Sequence, residues 1–112
     1  MNRNLETWAA IHQIFDEHLP ATPPEAEEEM MALITHRVSE LMRSDMGLLL
    51  SHLYRLDVDE RKVDAVLSNP SSSESVERDI ALLIWERQKK RIQTKALFKR
   101  IASQDIPDDY KW

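Results

Sequence analysis

No cysteine occurs in the chain, and its absence excludes a disulfide framework, a thiolate metal centre and a cysteine nucleophile together. Glycine is nearly missing as well: Gly47 is the only one among 112 residues. Tight hairpins and phosphate-cradling loops need glycine where the backbone turns to positive φ, so helices joined by short polar turns are the expected alternative. Long apolar runs are missing too. The opening residues MNRNLETWAAIHQ lack the apolar core of a signal peptide, and no stretch approaches the ~20 apolar residues of a membrane span. A cytoplasmic protein without a membrane partner is the expectation.

Apolar residues make up 42% and charged residues 31% of the chain, the balance of a folded soluble domain rather than a disordered one. A chain of this length forms one domain with a core of its own. The expected fold is all-α, a compact bundle of about five helices with a long C-terminal helix. It is read as a single helical domain over residues 1–112, with 1–4 and 103–112 as flexible tails. Net charge is −5, unevenly spread: residues 1–60 hold twelve acids and four bases, and residues 61–112 hold eight acids and eleven bases.

Leu5, Trp8, Ile11, Phe15 and Leu19 recur at spacings of three and four, which predicts an amphipathic helix over 5–19 that Pro20 closes. Thr22 and Glu25 have the spacing of a capping box with Pro23 in the first turn. A second helix is therefore expected to start there, with Glu25, Glu27, Glu28 and Glu29 as a solvated acidic start complementing its dipole. A third helix over 45–56 carries Leu48, Leu49, Leu50, Leu53, Tyr54 and Leu56. Being apolar nearly all round, it is expected at the buried centre, either separate from the second helix or continuous with it through a bend at Gly47. Asp57 and Glu60 repeat the capping-box spacing, so Asp57 is expected to cap a fourth helix over 58–68. SNPSSSES at 68–75 reads as a polar loop. A last helix then runs to about Ala102, with IALLIW at 80–85 expected to be buried.

The dense charge of HLYRLDVDERKVDAVL, 52–67, thus reads mainly as helix ends rather than chemistry. Other motifs are equally sparse. His12 with Asp16 and His36 with Glu40 stand one turn apart, but such pairs are common surface contacts, and neither Glu-x-x-His nor His-Glu-x-x-His occurs. Glu25/Glu28 and Glu74/Glu77 match the first acidic spacing of helical pyrophosphohydrolases, and no Glu-x-x-Asp follows. A hydrolytic triad lacks its G-x-S-x-G elbow. His52 reads as a core histidine bonded to backbone. RLDVDERKVDAVLSN has the cadence of a helix-turn-helix, yet Asp59, Glu60 and Asp64 on its second helix would repel phosphates. No catalytic residue, metal ligand or cofactor is assigned, and an enzyme is the less favoured reading.

The second half of the last helix is different. From Glu86 to Arg100 it carries seven bases and one acid. Its bases suit docking on the EAEEE segment of the same chain or of a second copy, with nucleic acid as the less favoured partner. The helix should outreach its own bundle, leaving Leu97, Phe98 and Ile101 to be covered by another chain. The candidate interaction surface is therefore Arg87, Lys90, Arg91, Lys95, Leu97, Phe98 and Ile101. The expected role is a non-enzymatic helical interaction or structural protein that self-associates as a homodimer or meets a protein partner. The alternative is a nucleic-acid-associated protein using the basic helix.

LLLSHLYRLDVDERKVDAVL followed by IALLIWERQKKRIQTK resembles a group of small uncharacterised bacterial all-helical proteins. Their pattern is a Tyr-Arg-Leu/Ile-Asp-Val step, here Tyr54 to Val58, then Glu-Arg-Gln, here Glu86 to Gln88, and a basic C-terminal helix. The resemblance covers about half the chain and implies a fold without an activity. It also implies that Tyr54-Arg55-Leu56-Asp57 and Glu86-Arg87-Gln88 form one unit. A physical account of that unit is Arg55 or Arg87 pairing with Asp57 or Glu86 where the third helix ends against the last.

Overall fold

The computed structural model describes residues 3–68 and 75–102, apart from the side chains of Arg3 and Glu17. Five α-helices follow one another: α1 (Arg3–Phe15), α2 (Glu27–Ser44), α3 (Met46–Arg55), α4 (Glu60–Ser68) and α5 (Val76–Ala102). A 3₁₀ turn, Asp16–His18, extends α1. The all-α class and the long last helix are as the sequence implies. Residues 69–74 of the polar loop and the 103–112 tail lie outside the described residues.

Helix α1 starts earlier than its apolar stripe, so residues 3 and 4 are helical rather than a tail. It also ends earlier, because Asp16 takes φ 55° and breaks the α-helical hydrogen-bond ladder. Trp8, Ile11, Phe15 and Leu19 are buried as expected, while Leu5 remains 47% exposed. The Trp8 indole N–H donates to the Pro20 carbonyl at 3.2 Å, which pins the chain as it leaves α1.

The capping box at Thr22 does not form. Helix α2 begins at Glu27 after Ala26, with no side-chain cap. Pro24 supplies a reason: its ring disfavours the α conformation at Pro23, where the helix would have to start. Glu27, Glu28 and Glu29 then occupy the first turn, where carboxylates favour the free N–H groups. A real break separates α2 from α3 at Asp45, with φ −159° and ψ 78°. Its Oδ1 accepts the Leu48 N–H at 3.0 Å and caps α3. Gly47 is neither a bend nor a packing notch, since a Cβ there would meet only Asp45 Oδ1, at 3.6 Å.

The centre of the bundle is α5 rather than α3. Helix α5 packs against α1, α2 and α4, and Ile80, Ala81, Ile84, Trp85 and Gln88 are buried in it. Met30, Met31, Ile34, Val38 and Leu41 of α2 complete the core with Val63 of α4. Helix α3 turns only Leu49, His52 and Leu53 inward; Leu48, Leu50 and Tyr54 face outward. A ten-residue helix at the edge of so small a bundle buries one face, and its remaining leucines stay on the surface.

Candidate interaction surface

The Tyr54–Val58 and Glu86–Gln88 motifs do meet, where α3 ends against α5. Helix α3 closes in a Schellman motif: Val58 N–H reaches the Leu53 carbonyl and Asp57 N–H the Tyr54 carbonyl, both at 3.0 Å. Asp57 fills the left-handed position at φ 60°, a place usually given to glycine. It is therefore a C-terminal residue of α3 and not the cap of α4. The cap of α4 is Asp59, whose Oδ1 accepts the Arg61 N–H at 2.9 Å.

Side chains of α5 read this closing turn. Arg87 donates from its Nη2 to Asp57 Oδ2 at 2.6 Å and from Nε to the Asp57 carbonyl at 3.0 Å. Gln88 Nε2 donates to the Leu56 carbonyl at 2.5 Å from a buried position. Arg91 approaches the same carbonyl at 3.4 Å. The Arg87 guanidinium, first by hydrogen bond and then by charge, holds the Asp57 carboxyl below its ordinary range. Arg87 and Arg91 are thus committed to the chain's own α3 end.

Beyond Gln88 no residue of α5 is buried, although the helix continues to Ala102. That distance is about 21 Å at 1.5 Å per residue. Leu97, Phe98 and Ile101 are 53%, 56% and 43% exposed. At about 100° per residue they share one stripe, centred roughly a third of a turn from the line of Ile84 and Gln88 that faces the core. Lys90 lies on the line of Leu97 two turns earlier, and Lys95 flanks the stripe beside Phe98. The acidic start of α2 does not meet this basic end. Glu27 instead accepts the Trp85 indole N–H at 2.7 Å, and Glu28 lies 3.5 Å from Arg78.

A second exposed apolar feature escaped the sequence reading. Leu50, Leu53, Tyr54, Val58 and Val63 line a groove of about 250 Å³ between α3 and α4, and Glu60 and Asp64 stand in its wall. The signal was present in the leucine excess of α3, whose outer face the bundle does not cover. On the other side of α4, Arg61 and Lys62 line a cleft of about 660 Å³ with Arg87 and Lys90. Asp57, Asp59 and Glu86 share that cleft, so its charges offset one another.

His52 is buried and meets the Phe15 ring edge-on, with centroids 5.1 Å apart. Its Nδ1 has no hydrogen-bond partner among the described residues, so the expected backbone bond is not made there. Burial foremost, then Arg55, Arg37 and His18, hold its pKa below the ordinary imidazole value. His36 and Glu40 form a pair at 3.8 Å along α2. Among the described residues no three His, Asp or Glu side chains converge as a metal site would require, and no helix is long and apolar enough to cross a membrane. Compared with known proteins, the chain matches no family model, no curated protein and no solved structure.

Proposed function

We propose that this protein is a non-enzymatic helical interaction protein that self-associates through the far end of α5. The observation that carries this reading is the exposed stripe of Leu97, Phe98 and Ile101 on a helix that has left its own core. Three large apolar side chains on adjacent turns form the kind of patch that marks a protein contact. Arg87, Gln88 and Arg91 anchor the root of that helix to the α3 end, so the stripe is presented from a fixed base.

A nucleic-acid reading is favoured by one separate observation. Between Arg87 and Ala102 the helix has seven bases and no acid, a charge density suited to phosphate. Salt discriminates the two. Self-association driven by apolar burial should survive a rise from about 50 mM to about 200 mM salt, whereas phosphate contacts weaken steeply across that range. Sedimentation velocity at both salt concentrations, with and without duplex DNA, makes the test. Self-association that persists at high salt supports the proposal. Salt-sensitive DNA binding by a chain that stays single replaces it.

A further inference from the structure

Resting on that self-association, we infer that the distal turns of α5 dock in the α3–α4 groove of a second copy. The groove is built to receive a basic amphipathic helix. Its lining is apolar apart from two acids on α4, with Leu50 46% and Tyr54 79% exposed. Glu60 and Asp64, one helical turn apart, line it, while Arg61 and Lys62 line the cleft on the opposite side. The charged residues that line the groove itself are thus both acids.

The distal end of α5 is the matching shape. Leu97, Phe98 and Ile101 offer the recurring anchors by which a helix fills an apolar groove. Lys95 follows the Phe98 edge of that stripe, about 60° round the helix from it. Its long stem can lie over apolar surface and bring the ammonium to Glu60 or Asp64 at the groove wall. The contact must be intermolecular. No residue of α5 lines the groove, and α5 is one uninterrupted helix from Val76 to Ala102, so its own end cannot fold back. Each copy offers one helix end and one groove, which permits a reciprocal pair.

The test uses the full chain and sedimentation equilibrium. Leu50→Lys spoils the groove, and Phe98→Glu spoils the helix end; both sites are exposed, and unchanged circular dichroism spectra will verify the folds. Each variant alone should run as a single chain, and an equimolar mixture should form a one-to-one complex, because one supplies an intact groove and the other an intact helix end. Glu60→Lys with Asp64→Lys should raise Kd about tenfold, and adding Lys95→Glu should recover part of it. If Phe98→Glu abolishes association while Leu50→Lys associates like the unaltered chain, the groove assignment is overturned and self-association through α5 stands. If the unaltered chain stays single at about 100 µM, the underlying reading fails with it.

Discussion

Asp57 and Asp59 stand two residues apart and do different work, and the distinction sets separate expectations for each. Asp59→Ala should cost about 0.5–2 kcal/mol in chemical denaturation, with Asp59→Ser retaining most of the stability, because its side chain caps α4. At Asp57 the backbone conformation, not a cap, sets the order. Asp57→Gly should leave the chain more stable than Asp57→Ala, since only glycine enters φ 60° without strain. Equal losses for the two would remove the left-handed turn from the account. His52 carries the pH dependence. The fold keeps its pKa below the ordinary value, so the unfolded chain takes up a proton near pH 6.5 that the folded chain resists. Stability is therefore full above that pH and falls as pH drops through it. Thermal unfolding from about pH 7.5 to about pH 5.5 should show the fall, and His52→Gln should flatten it. The Asp57 carboxylate, held low by Arg87, loses its contribution only in stronger acid.

Each helix of the bundle was legible in the spacing of its apolar residues, and the errors lie at the ends. Pattern places the stripe of Trp8, Ile11 and Phe15 correctly, but the capping-box spacing at Thr22 outweighed the bias of Pro24 against helix at Pro23. Likewise, the Asp-x-x-Glu spacing after α3 suggested a cap at Asp57, because a Schellman turn with aspartate in the glycine position has no strong local signature. Burial was misplaced for α3, where leucine content says nothing of which face a neighbour covers. Two substitutions measure how the elements divide the load. Ile84→Ala, fully buried in α5, should cost about 2–5 kcal/mol. Gly47→Ala should stabilise by about 0.4–1 kcal/mol, because its Cβ meets ordinary contact distance within a helix. Destabilisation at Gly47 would mean that this position serves a close approach after all.

At the scale of the molecule, the chain is two parts that differ in burial. Trp8, Met30, Ile34, Leu41, Ile80 and Ile84 close a core around the first half of α5. Its second half extends past Gln88 with its apolar stripe in solvent. The helix end was legible in sequence because a basic tract interrupts the apolar stripe and a 27-residue helix outreaches its neighbours. The groove was not legible, because α3 and α4 only form it once the Asp57 turn sets their angle. Light scattering across a dilution series, on the unaltered chain and on Leu97→Glu with Phe98→Glu, tests the central claim most directly. The account predicts twice the single-chain mass at tens of micromolar, falling on dilution, and the single-chain mass at every concentration for the double variant. A single-chain mass for both proteins throughout would contradict it.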